Sequence, residues 1–232
     1  MKKPITTFIY GLTLSLMLNA AAHAGAYEQQ GLDQPLDQPL DQPLDQPLDQ
    51  QALDQQAFDA GQAAYHKGNH QQAAQRWLPL AKQGHANAQA LLGLMYLNGS
   101  GVPQDDQKAL EWYTLAAEQG DAYAQYSLGW MHEKGKGVKQ NDQQAFEWYS
   151  KAAKQKDSNA QYSLGLMYAL GQGTAQNTIQ AHMWLNLAAV NHHPDAKETR
   201  DNLAKLMTAD QIIQAQQLAI QCQASNHQNC DE

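Results

Sequence analysis

The sequence predicts an all-α protein, an α/α solenoid of stacked helical hairpins behind a disordered N-terminal region, and three observations predict it. Sliding the chain against itself by 36 residues aligns Ala88-Gln89 with Ala124-Gln125 and Ala160-Gln161. The same shift aligns Gly93, Gly129 and Gly165, then Met95, Met131 and Met167, then Trp112, Trp148 and Trp184. A fixed period of this length marks a repeat array. Within a unit, Ala124, Leu128 and Met131, and then Ala145, Trp148, Tyr149 and Ala152, recur at three- and four-residue spacings, so both halves are helical. Between the halves lies Gly135-Lys136-Gly137, and its repeats at Gly99/Gly101 and Gly171/Gly173, where positive φ ends one helix and turns the chain. One hairpin cannot cover its own apolar face, so hairpins stack.

Gly129 and its equivalents sit mid-helix, where glycine costs about 1 kcal/mol against alanine. Closer approach of the paired helix is the expected compensation. The pattern AQxxLGxMYxxGxGVxxD followed by AxxWYxxAAxxG resembles the Sel-one-like repeat, a relative of the tetratricopeptide repeat, over roughly residues 56–224. The resemblance implies a right-handed superhelix and a protein that binds other proteins.

Residues 1–24 read as a signal peptide. Lys2 and Lys3 precede an apolar centre from Phe8 to Leu18, and Ala22-His23-Ala24 supplies the small-x-small site, so cleavage is expected after Ala24. The apolar run is too short for a membrane span, and no stable anchor is expected after cleavage. Loss of the segment leaves 13 Lys and Arg against 23 Asp and Glu, an acidic protein with little electrostatic reason to bind nucleic acid.

Residues 25–55 carry LDQP repeated from Leu32 to Pro47. Proline at every fourth position denies a regular helix, and one leucine per unit buries too little to offset ordering. The stretch reads as a disordered tether spanning about 30 Å as a coil. A divergent first repeat occupies 56–84, with a short turn at Lys67-Gly68-Asn69 and with Pro79 expected to kink or loosen its second helix. Three repeats follow at 85–120, 121–156 and 157–193; Thr174 and Thr178 in the third predict a looser loop. Residues 194–224 read as a closing hairpin, with one helix from Ala196 to Met207 and a second opened by a capping box at Thr208-Ala209-Asp210-Gln211. Residues 225–232 read as a polar tail.

Chemistry-bearing constellations are sparse. Cys222 and Cys230 are the two cysteines; in an exported chain their spacing permits a disulfide, with free thiols or, through His227, a zinc site as the other states. The nine histidines read as exposed loop residues, and no metal or other cofactor is expected. The GxG triplets follow helices, and turn geometry accounts for them without a phosphate. β-Lactam binding or hydrolysis belongs to a cysteine-rich subgroup of the resembled family with a disulfide in each repeat. Both cysteines here lie outside the repeats, which argues against carrying that activity over.

The resemblance also points to a groove along the first helices. By transfer from the tetratricopeptide arrangement, the central unit displays Tyr123, Tyr126, Trp130 and Lys134, at i, i+3, i+7 and i+11. Asn87, Leu94 and Asn98 flank them on one side, and Asn159, Tyr162 and Leu166 on the other. Aromatic anchors among amides suit a peptide or a partner's loop; packing of the same rings between units is the competing reading. Trp112, Trp148 and Trp184, beside core alanines, read as packing residues. The expected function is a monomeric, exported, non-enzymatic adaptor, periplasmic or secreted, holding a protein or peptide partner. A cell-wall or β-lactam hydrolase is the alternative.

Overall fold

The computed structural model describes residues 50–227 and Cys230. The expected signal peptide, its cleavage site and residues 25–49 of the tether lie outside the described residues. Four hairpins run in tandem: α1 (Gln50–His66) with α2 (His70–Lys82), α3 (Ala86–Asn98) with α4 (Asp106–Glu118), α5 (Ala122–Lys134) with α6 (Asp142–Lys154), and α7 (Ser158–Leu170) with α8 (Thr178–Val190). They are followed by α9 (Ala196–Ala204) and α10 (Ala209–Ala224). Among the described residues there is no strand. Consecutive helices pack on one another as far as α9, giving the all-α solenoid expected.

α1 begins at Gln50, inside the stretch expected to be a tether to residue 55. The last proline of the tract is Pro47 and the next is Pro79, so every backbone N–H of α1 can donate. Gln50 and Gln55 also donate to Asp54 and Asp59 one turn on, at 2.8 Å each. Phe58 then anchors the helix, its carbonyl accepting from Trp77 Nε1 at 3.1 Å. α2 runs through Pro79 to Lys82 without the loosening expected of it. A proline this close to a C-terminus forfeits a single ladder bond, and its own carbonyl still accepts from the Gln83 N–H.

The three repeats from α3 to α8 share the same three devices. His85, Asp121 and Asp157 cap α3, α5 and α7, accepting from the N–H of Ala88, Ala124 and Ala160. Asp105, Asn141 and Asn177 do the same for α4, α6 and α8. The second glycine of each GxG does more than turn the chain. Gly137, at φ 65°, lies against the start of α4 in the preceding hairpin, where a Cβ would stand 2.6 Å from the Asp106 carbonyl carbon. Gly101 and Gly173 meet the starts of α2 and α6 in the same way, so these loops clamp one unit to the last. The third loop is not looser than its sisters. Gln172 and Asn177 N–H donate to Met167 and Tyr168 as Lys136 and Asn141 donate to Met131 and His132, because the backbone pattern needs the glycines and not the residue at 174.

The mid-helix glycines behave as expected. A Cβ at Gly93 would sit 2.7 Å from the Tyr113 ring, one at Gly129 2.5 Å from Tyr149, and one at Gly165 2.8 Å from Leu185. The rings filling these notches are one residue beyond the tryptophan column. Tyr113 and Tyr149 are sealed, whereas Trp112 and Trp148 are half-buried and only Trp184 is fully enclosed. The helix–helix notch admits the position 20 residues after the glycine, which the alignment of tryptophans alone does not reveal.

A polar rung crosses each inter-unit contact. Buried Gln89, Gln125 and Gln161 donate to the carbonyls of Ala81, Ala117 and Ala153 at 3.0 to 3.1 Å. Their side-chain oxygens accept from Gln119, Gln155 and Asn191 in turn, at 2.7 to 2.8 Å. The Ala-Gln column of the sequence is therefore a ladder of hydrogen bonds from one second helix through the next first helix to its own second helix.

The C-terminal elements correct two expectations. α9 stops at Ala204, and α9 and α10 each pack on α8 in place of forming a hairpin with one another. α8 is covered from several sides for that reason, and its run IQAHMWLNLAAV is apolar almost all round. The capping box at Thr208 and Gln211 is present as expected. The tail is not a loose polar end: Cys222 and Cys230 are bonded, their Cα atoms 4.6 Å apart, and both are buried against Trp184 and Leu187 with His227 buried between them.

The histidines are not all exposed loop residues. His182 and His227 are buried, His85 stacks on Phe58 at 4.8 Å, and His193 stacks on Tyr162 at 4.1 Å. Burial holds His132, His182, His193 and His227 below the usual imidazole range, with Arg200 adding to the effect at His182 and Lys156 at His227. Each contributes nothing above pH 6.5, where folded and unfolded forms are both neutral. Below it the unfolded chain takes up protons that the fold refuses, so stability falls. Asp157, raised by burial, opposes this only once carboxylates titrate. The urea midpoint is expected to drop between pH 7.5 and 5.5, with a shallower drop in His227→Phe; a flat profile would show that the imidazoles protonate in place.

Candidate partner-binding groove

The aromatic stripe of α5 is half in the core and half out. Tyr123 is 41% exposed and meets Tyr113 edge-on at 6.1 Å. Tyr126 is half-buried, its ring 5.6 Å from Tyr149, and Trp130 is half-buried where two adjoining cores meet. Ser127, on the same helix, donates its hydroxyl to the Tyr123 carbonyl at 2.8 Å and holds that turn. None of the four expected groove aromatics is sealed.

Tyr123, Tyr126 and Trp130 converge with Asn98 of α3 and Tyr113 of α4 on an open pocket of about 240 Å³. It forms here because α3 and α5, first helices of adjacent hairpins, touch each other while α4 lies beneath them. The lining contains no carboxylate, imidazole or ammonium group. Burial raises the Tyr126 hydroxyl above the usual phenol range, and the nearby charges of Asp157 and Glu133 push it further the same way. The Tyr113 hydroxyl is pushed up by burial and has no hydrogen-bond partner.

The other expected groove residues do not join this pocket. Tyr162 is covered by His193, and its hydroxyl lies 3.3 Å from Thr199 Oγ1 of α9, so the C-terminal elements occupy its side of the stripe. Asn87 and Asn159 are exposed, Leu94 and Leu166 are half-buried, and exposed Lys134 pairs with Glu133, which also accepts from the Tyr149 hydroxyl at 2.7 Å. Tyr113 was not among the residues expected here. Its signal was present in the sequence as the aromatic following Trp112, at the register that fills the Gly93 notch.

Residues 86–121, 122–157 and 158–189 match the Sel1 repeat. The chain carries three Sel1 repeats. Its solenoid is similar to a Sel1 repeat protein from Oxalobacter formigenes, at 35% identity and a TM-score of 0.58, over 60% of this chain and 57% of that one. It is also similar to a protective antigen present in uropathogenic Escherichia coli strains displaying an SLR fold, at 29% identity and a TM-score of 0.49, over 78% of this chain and 48% of the antigen. Helicobacter pylori cysteine rich protein B aligns at 24% identity and a TM-score of 0.46, over 56% of this chain and 96% of that one. The Sel1 repeat protein thus spans about half the length of the first two relatives. No curated protein matches it. Sel1 repeats typically serve as protein-interaction scaffolds. Among the described residues, no group of three or more His, Cys, Asp or Glu could hold a metal ion, and no helix is long and apolar enough to cross a membrane.

Proposed function

We propose that this Sel1 repeat protein is an exported, non-enzymatic adaptor, acting in the periplasm or outside the cell, whose α3–α5 groove holds a partner protein or peptide. The observation that carries the reading is the open pocket walled by Tyr113, Tyr123, Tyr126 and Trp130. Rings needed only for packing close their own gaps, as Tyr113 and Tyr149 do at Gly93 and Gly129, whereas Tyr123, Tyr126 and Trp130 border about 240 Å³ open to solvent. Aromatic rings around a partly desolvated pocket are the usual energetic centre of an interface. A pocket without carboxylate, imidazole or ammonium groups lacks the side chains that most often transfer protons near neutral pH, which favours the adaptor over the hydrolase. Export rests on the arrangement of residues 1–24.

A photoreactive phenylalanine analogue in place of Tyr123 is expected to crosslink one defined partner in the producing cells. The same group at Leu115, exposed on α4, should not. With that partner purified, Tyr123→Ala combined with Tyr126→Ala should weaken binding about tenfold or more, the scale of an aromatic hot spot. Identical crosslinks from both positions, or unchanged binding by a folded double variant, would remove the groove from the function.

A further inference from the structure

We propose that the pocket takes the cationic side chain of a basic peptide, an arginine or lysine inserted between Tyr123, Tyr126 and Trp130. The proposal rests on the adaptor reading and names the chemistry of its ligand. Size comes first. At about 240 Å³ the pocket lies below the roughly 300–1,000 Å³ of sites for drug-sized molecules and suits one long side chain.

The walls decide which side chain. Aromatic faces carry negative quadrupole charge and attract an ammonium or guanidinium group, an attraction that strengthens where water is excluded. Tyr113 is fully buried and belongs to the lining. Asn98 adds an exposed amide at the rim. Its amide oxygen can accept from arginine or lysine, which bring donors only, and has nothing to accept from an aliphatic side chain. The surrounding charge agrees. Asp157 and Glu133 both act on the Tyr126 hydroxyl, the nearby Lys134 is held by Glu133, and the whole chain carries a formal charge of −8. A cation is therefore drawn to the groove and an anion is repelled.

The test is an NMR titration of the full chain with acetyl-Gly-Arg-Gly amide and with the same peptide carrying norleucine, following the Trp130 indole N–H and, in variants that lack it, the Tyr123 and Tyr126 backbone N–H signals. The arginine peptide is expected to bind about fivefold or more tightly than the norleucine peptide, the scale of one cation–π contact, and to weaken as salt rises. Trp130→Leu keeps apolar volume and removes a π face. It should abolish the preference while leaving norleucine binding unchanged, and Trp130→Phe should restore most of it. Norleucine binding as tightly as arginine would overturn the cation assignment and leave the groove standing. An indole unmoved by either peptide up to about 10 mM, at the weak edge of measurable affinity, would overturn it too, with the Tyr123 crosslink judging the adaptor reading separately.

Discussion

Gly137→Ala is expected to destabilise the solenoid by about 3 kcal/mol, from roughly 1–2 for a non-glycine residue in the left-handed region and a comparable amount for displaced backbone. The new Cβ would stand 2.6 Å from the Asp106 carbonyl carbon, so either the loop or the start of α4 must move. For a domain of this size that corresponds to a melting temperature lower by about 6–12 °C. Gly120→Ala is the matched control. Gly120 also has positive φ, at 92°, but nothing lies within 4 Å of its would-be Cβ. Lys156 and His192, one and two periods later, already adopt φ of 69° and 65° there. That control should cost about 1 kcal/mol. Equal losses in the two variants would mean that the loop does not clamp adjacent hairpins, and that only turn strain is being measured.

Gln161→Ala is expected to cost about 2–4 kcal/mol, because it strands two partners at once, the buried Ala153 carbonyl and the part-buried Asn191 amide. The side chain is 0% exposed, so water cannot replace it without opening the contact between α6 and α7. Gln155→Ala, which removes an exposed member of the preceding rung, should cost less than half as much. Adding Asn191→Ala to Gln161→Ala should cost less than the sum of the two separately, since the amide stranded by the first change is then gone. Chemical unfolding of the four variants measures this, and equal losses for Gln161 and Gln155 would show that the rung adds nothing beyond side-chain volume.

These two cases show where the sequence was legible and where it was not. The glycine and Ala-Gln columns were visible as a period, but a period reports that a position is constrained and not by what. Gly137 reads as a turn residue from its own neighbours; its second constraint, the backbone of α4, lies about thirty residues earlier and is brought there by stacking. Gln161 in an apolar stripe reads as an oddity until α6 and the end of α8 converge on it. Tyr123, Tyr126 and Trp130 share α5, yet Tyr162 of the Tyr126 column is covered by His193, because the unit after it is the C-terminal cap and not another repeat. Likewise, His227 and Cys230 read as polar-tail residues by composition, yet His227 is buried and Cys230 joins the core of Trp184 and Leu187.

By itself the sequence determined the helices, their caps, the turns and the need to stack, since each depends on residues within one period: spacing sets the apolar face, glycine sets the turn, and an uncovered face demands a neighbour. Only the tertiary structure decided which ring fills each glycine notch, which glycine clamps two units, and which aromatics stay open to solvent. Those depend on pairs of residues some twenty or more positions apart, and their distances are fixed when the units pack.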